Sequence, residues 1–203
     1  MQRPVVYIPF AGTRDWSPGD TDRWWQQESP HADFMASHGF KCRSLYYPWW
    51  ATALAGTVFA GPSKRVWYHG ALVAADWIER NGIPIADRNL IAYSHGGQVA
   101  KIVATFIPVR CIVTIGTPIR KDMREHYEKA TGKQLHVYST GWENRWQAFG
   151  SLFDKDLRLS WQMPFSENKK IQGIGHGDVL EKPDKWHVLN DEGVLSWIKS
   201  AHQ

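Results

Sequence analysis

Apolar residues fall along this chain in short runs, separated by longer stretches in which apolar and polar positions alternate with helical spacing. The run 5–8, Val-Val-Tyr-Ile, is closed by Pro9 and predicts a buried strand feeding a loop over 10–21 that carries Gly12, Pro18 and Gly19. A helix is predicted over 24–37, interrupted or restarted at Pro30 and ended by Gly39. A second strand is expected over 42–47, stopped by Pro48, and the segment 48–63 is irregular and rich in small and aromatic residues. Over 66–80, Val66, Leu72, Val73, Trp77 and Ile78 suit an amphipathic helix closed by Asn81-Gly82. A strand over 90–93, a helix over 98–106 and an all-apolar strand over 111–115 follow. Beyond them the pattern predicts a polar helix over 121–130, a strand over 135–138, a short strand over 170–174 and a closing helix over 188–201. The stretch 141–168 has only patchy periodicity.

Strands alternating with helices predict a parallel sheet covered on both faces. There is no internal repeat, low-complexity tract or interdomain linker, so residues 1–203 read as a single domain.

Composition narrows the class of protein. With 43% apolar and 22% charged residues the chain is that of a soluble globular protein. The formal charge of +4 comes from scattered basic residues whose longest runs are pairs such as Lys169-Lys170, so no stripe for nucleic acid is expected. Twelve tryptophans suggest an aromatic-walled cleft in addition to core positions. Cys42 and Cys111 both fall in predicted strands and read as buried free thiols, which fits a reducing compartment. No signal-peptide region precedes Val5 and no apolar run suits a membrane span, so a cytoplasmic location is expected unless a leader precedes this sequence.

The candidate chemistry centres on Asn89-Leu90-Ile91-Ala92-Tyr93-Ser94-His95-Gly96-Gly97-Gln98-Val99-Ala100, a strand that stops at Ser94 and restarts as a helix after two glycines. A serine on so sharp a turn has its hydroxyl held out of the fold, and small residues two before and two after it let strand and helix pass closely. Ala92 and Gly96 fill those places. A serine hydroxyl needs a neighbouring base, itself oriented by a third group. His176, between Gly175 and Gly177 after the last predicted strand, is the candidate base, with His187 as its rival. Glu143, the first carboxylate past the strand over 135–138, is the candidate orienting acid, and Asp122, Asp154 and Asp156 are alternatives. For an oxyanion, the backbone N–H of His95 would be one donor, and the loop after the first strand would supply the other, from Ala11 or alternatively Phe10. No histidine spacing suits zinc, and neither a metal nor another cofactor is expected.

These segments resemble the α/β-hydrolase superfamily, particularly its small esterase- and lipase-like members. Val5-Val6-Tyr7-Ile8-Pro9-Phe10-Ala11-Gly12-Thr13 is similar to the first strand and oxyanion loop, with Pro9-Phe10 where many members carry His-Gly. Ala92-Tyr93-Ser94-His95-Gly96-Gly97 is similar to the nucleophile elbow, Thr114-Ile115-Gly116-Thr117-Pro118 to the strand end that follows it, and Gly173-Ile174-Gly175-His176 to the segment bearing the histidine. The likeness spans nearly the whole chain, but only the elbow is specific by itself. The Asp expected after the strand over 135–138 is replaced by Trp142-Glu143-Asn144, and if Asn144 holds that position the acid has moved or is missing.

The resemblance implies a three-layer α/β-hydrolase fold with a mainly parallel sheet of about six strands and no large cap domain, leaving 48–63 and 141–168 as lid or pocket loops. It also implies hydrolysis of a small or lipid-like carboxylic ester through an acyl-enzyme, with Trp16, Trp49 and Trp50 as candidate pocket walls. A thioesterase, amidase or acyltransferase would use the same groups. The uncertain acid and the Pro9-Phe10 departure leave a non-catalytic binding protein as the alternative from another class.

Overall fold

A strand apolar on both faces is stable only in the middle of three layers, and three strands of this chain have that character. The computed structural model describes residues 3–11, 26–45, 63–139, 157–158, 162–172, 175 and 178–201. Its main sheet contains β1 (Val5–Phe10), β2 (Phe40–Cys42), β3 (Asn89–Tyr93), β4 (Cys111–Ile115), β6 (Lys133–Tyr138) and β8 (Glu167–Lys170). The strand order is β2-β1-β3-β4-β6-β8, and every neighbouring pair is parallel. Two short strands, β5 (Ile119–Arg120) and β7 (Leu157–Arg158), form a separate antiparallel pair.

Among the described residues the helices are α1 (Pro30–Ser37), α2 (Ser63–Arg80), α3 (Gly96–Phe106), α4 (Arg124–Lys129), α5 (Asp178–Glu181), α6 (His187–Asp191) and α7 (Val194–Ser200). Alternation along the strands divides the core in two. Ile8, Phe10, Leu90, Ala92 and Ile112 pack toward α2, α3 and α4. Tyr7, Ile91, Tyr93, Val113, Ile115 and Val137 pack on the other face toward α1, α5, α6 and α7. Each large apolar side chain buried this way contributes about 1.5–3 kcal/mol. Both thiols are free and buried, Cys42 ending β2 and Cys111 opening β4.

Several boundaries differ from the sequence expectation. The first helix begins at Pro30, where Ser29 caps it by accepting a 3.1 Å hydrogen bond from the Ala32 N–H, so residues 26–29 are turn. The second strand lies over Phe40–Cys42 instead of 42–47, because the buried–exposed–buried alternation of Phe40, Lys41 and Cys42 starts directly after Gly39. The last strand is Glu167–Lys170, ahead of the predicted 170–174. It is a polar edge strand, paired on one side only, and a search for apolar runs passes over such a strand. The closing helix is two helices, broken at Gly193 (φ +72°).

The face of α2 was also misassigned. Leu72 and Val73 are exposed, and Trp67, Ala71, Ala74, Ala75 and Ile78 point inward. Small residues on this face let α2 lie close against α3, so bulk was the wrong guide.

Lys101, on α3, is fully buried and donates hydrogen bonds to Gln134 Oε1 and, at 3.0 Å, to Ser166 Oγ. Burial among neutral partners pulls its ammonium down to about 7. Below that pH both folded and unfolded chains carry the proton, and the cost of burying the charge is fully present. As pH rises from 7 toward the ordinary lysine range, the unfolded chain binds more protons and stability rises, by roughly 1 kcal/mol per pH unit. Cys111, whose thiol burial pushes up to about 12, works in the opposite sense once pH passes the ordinary thiol range. Urea midpoints at pH 6, 7.5 and 8.5 are therefore expected to rise in the parent chain and to stay flatter in Lys101→Met. Equal pH slopes for the two proteins would contradict this account.

Candidate active site

The turn at the end of β3 brings a left-handed backbone to the carboxyl edge of the sheet. Ser94 has φ +50°, one of two non-glycine residues in the left-handed region among the described residues. A non-glycine residue costs about 1–3 kcal/mol there, and such strain persists only where the surroundings over-determine it. Those surroundings are visible. The Ser94 N–H donates to Ile115 O at 2.9 Å, continuing the β3–β4 ladder, and the Gly97 N–H donates back to Ser94 O at 3.0 Å to start α3. Ser94 is nearly buried, at 9% exposure.

Two glycines make the turn sterically feasible. A Cβ at Gly96 would fall inside contact distance of the carbonyl oxygens of Phe10 and Ala11, and 2.9 Å from the Phe10 carbonyl carbon. A Cβ at Gly97 would overlap Thr117 Oγ1 and lie 2.6 Å from its Cγ2. The end of β1 and the strap after β4 thus close on the elbow from two sides. Both expected donors of the second oxyanion bond, Ala11 and its alternative Phe10, have their backbone against the turn that carries Ser94.

The strap is fixed by side chains that sequence reading did not single out. Gln98, buried in the first turn of α3, donates to Pro118 O and accepts from Tyr127 Oη at 2.9 Å. Tyr127 Oη in turn accepts from the Arg120 N–H at 3.1 Å. These bonds tie α3, the strap and α4 into one unit. Burial pushes the Tyr127 phenol up to about 12, so it remains a neutral donor across the physiological range.

Beside Ser94, the His95 imidazole is stacked on the Trp67 indole, with centroids 5.5 Å apart and planes 23° apart. The Arg120 guanidinium lies 5.2 Å from the centroid of that same indole. These contacts hold His95, whose main chain is the expected first oxyanion donor. The signal for Trp67 was its helical spacing from Ala71, Ala74 and Ile78, the inward face of α2.

The candidate acids and bases separate. Asp122 is held by Arg120, from Nε to Oδ1 at 2.9 Å and from Nη2 to Oδ2 at 3.2 Å. His187 stands exposed at the start of α6, 4.0 Å from Asp191 Oδ2. His176, Glu143, Asp154, Asp156, Trp16, Trp49 and Trp50 lie outside the described residues, as do segment 48–62 and most of 141–168. One neighbour of His176 is described. The Gly175 N–H donates to Asp178 Oδ2 at 2.8 Å, and Lys182 Nζ is 2.9 Å from Asp178 Oδ1. Partial burial raises the Asp178 carboxyl, but these two hydrogen bonds outweigh it and hold the group below its ordinary value. Asp178 therefore anchors the Gly175 backbone, a role the sequence did not single out although the acid stands three residues beyond that glycine.

Among the described residues, no group of three or more His, Cys, Asp or Glu side chains is arranged to hold a metal ion, and no helix is long and apolar enough to cross a membrane.

No family model matches the chain, and no curated protein does. Solved structures are similar over nearly its full length. A predicted CIB-like hydrolase from Thermoplasma acidophilum has a TM-score of 0.56 at 15% identity, covering 94% of this chain and 86% of its own. A dienelactone hydrolase from Anabaena variabilis has a TM-score of 0.58 at 14% identity, covering 97% and 87%. Esterase B from Lactobacillus rhamnosis has a TM-score of 0.53 at 12% identity, covering 98% and 76%. With its parallel six-stranded sheet, two helical layers and strained serine at the end of the third strand in sheet order, this chain has the α/β-hydrolase fold.

Proposed function

We propose that this chain is a serine hydrolase that cleaves a carboxylic ester through an acyl-enzyme. The observation that carries the reading is the left-handed backbone of Ser94 at the carboxyl edge of the sheet, clamped between the ends of β1 and β4. Similar structures named as esterases and hydrolases support the class of reaction.

In this reading Ser94 Oγ attacks the ester carbonyl carbon as its proton passes to His176. The carbonyl oxygen becomes an oxyanion, received by the backbone N–H of His95 and by that of Ala11, with Phe10 as the alternative. Collapse of the tetrahedral intermediate breaks the bond to the alkoxy group, which leaves with the proton from His176. Water, deprotonated by His176, then releases the acid and restores Ser94. Glu143 orients the imidazole. Asp154 and Asp156 are its alternatives, and the pairing of Asp122 with Arg120 disfavours Asp122. Position 176 follows β8, three strand spacings or about 14 Å from β3, so the proposed transfer requires the imidazole to reach across β4 and β6. The anchoring of Gly175 by Asp178 supports a fixed course for the loop that carries position 176. Trp16, Trp49 and Trp50 would wall the acyl or alcohol pocket. Thioester and amide substrates, or an acyl acceptor other than water, would use the same groups.

Treatment with a fluorophosphonate, followed by mass spectrometry, is expected to place a single label on the peptide containing Ser94. A label on another residue, or none while nitrophenyl esters are still turned over, would overturn the assignment. Absence of both labelling and turnover would favour a binding protein. Among nitrophenyl esters of increasing acyl length, a strong preference for acetyl would count against a roomy tryptophan-lined pocket, and full activity in Glu143→Ala would remove that residue from the triad.

A further inference from the structure

Between α4 and the turn that precedes β8 lies a cavity of about 550 Å³ lined in part by Arg120, Lys121, Arg124, Phe165, Ser166 and Asn168. Among the described residues that line it there is no carboxylate. Arg120 is paired with Asp122, but among the described residues neither Lys121 nor Arg124 faces an acidic partner. Both are exposed, so their charges are available to a ligand. Behind the wall, buried Lys101 donates to the Ser166 hydroxyl and fixes its position.

The opposing wall is strained. Phe165 has φ +60° and remains 47% exposed. A bulky residue in the left-handed region is a genuine outlier, and an exposed phenyl ring gains little from burial to offset the strain. The turn is held by Asn168, whose Oδ1 accepts from the Met163 N–H at 2.7 Å. Its Nδ2 donates to Met163 O at 3.0 Å and to Ser166 O at 2.8 Å. Three hydrogen bonds from one side chain therefore keep the ring beside the Arg124 guanidinium, 5.5 Å from its centroid. A flat apolar surface and two cations with no acidic partner among the described residues thus share one mouth.

We propose that this cavity binds a small anion carried on an aromatic or apolar body, a phosphate or carboxylate group meeting Lys121 and Arg124 while the body lies against Phe165. Neither half of the ligand suffices. The cations alone would be solvated and screened, and the ring alone offers too small an apolar surface. The site is independent of the chemistry proposed for Ser94, and its test reads binding alone.

Isothermal titration of the full chain with phenyl phosphate at low ionic strength is expected to give saturable binding with Kd below about 1 mM. Inorganic phosphate and benzyl alcohol, each carrying one half of the probe, are expected to bind at least about 10-fold more weakly. Lys121→Ala combined with Arg124→Ala, both at exposed positions, should raise Kd for phenyl phosphate about 10-fold or more without shifting the thermal midpoint. Phe165→Gly, which relieves the backbone strain while removing the ring, should weaken phenyl phosphate but not inorganic phosphate. Ser94→Ala should bind phenyl phosphate as the parent does. Absence of saturation by 10 mM, roughly tenfold above the expected Kd, would overturn the proposal. Unchanged affinity in the double variant, or benzyl alcohol binding as tightly as phenyl phosphate, would overturn it too.

Discussion

Ser94→Ala is expected to lower kcat/KM for nitrophenyl esters by roughly 10⁴- to 10⁶-fold and to abolish fluorophosphonate labelling. In the proposed mechanism the nucleophile acts as one unit with its base and oxyanion donors, which sets the size of the loss. Once the oxygen that forms the acyl bond is gone, the remaining groups can only bind and polarise the ester. Stability should hardly change, because alanine occupies the same strained backbone. Ser94→Gly separates strain from chemistry. Glycine adopts φ +50° without the Cβ penalty, so this variant should be as inactive as Ser94→Ala yet gain about 1 kcal/mol or more in unfolding free energy. Retained ester turnover in both variants would remove Ser94 from the mechanism. Lower stability in Ser94→Gly would show that the turn is less strained than its dihedral indicates.

The second large effect is expected at Gly96. A Cβ there meets two carbonyl oxygens and a carbonyl carbon of the β1 end, all of them backbone atoms that no rotamer change can move aside. Gly96→Ala must push apart the elbow and the Phe10–Ala11 backbone. An expected cost of about 1–3 kcal/mol follows, with a fall of about 10²-fold in kcat/KM as the serine and the proposed second oxyanion donor lose their relative position. Gly97→Ala is the instructive contrast. Its added methyl group meets the side chain of Thr117, with the Thr117 Cβ only 2.8 Å away. Combining it with Thr117→Ala removes Oγ1 and Cγ2 and should recover part of the loss. The same second change should do nothing for Gly96→Ala. Thermal midpoints and ester kinetics of the four variants test this, and rescue of Gly96→Ala by Thr117→Ala would contradict the packing described.

Much of the framework was readable from the residues because burial on both faces leaves a plain trace. The runs at 5–8, 90–93 and 111–115 marked three neighbouring central strands, since a parallel strand between two helical layers must be apolar throughout. The elbow was readable for a related reason, as few sequences place a serine between an apolar strand and a pair of glycines that open a helix. Where burial was one-sided or polar, the trace faded. The edge strand Glu167–Lys170 looks like surface, and the helix over Ser63–Arg80 buries alanines while exposing Leu72 and Val73, so its inner face ran against the usual weighting of bulk. The break at Gly193 was readable as a glycine but not as a corner, because continuing or ending a helix there depends on what its two halves pack against.

By itself, the sequence determined the layer architecture and the placing of one serine at a strand-to-helix turn, because both rest on local patterns of apolar and small residues. Only the tertiary structure decided which groups surround that serine. The approach of Phe10 and Ala11 to Gly96, the stacking of His95 on Trp67, the pairing of Arg120 with Asp122 and the anchoring of Gly175 by Asp178 join residues from different elements. The first two of these contacts join partners distant in sequence. Their meeting depends on the order and register of the strands, which the pattern along the chain does not encode one residue at a time.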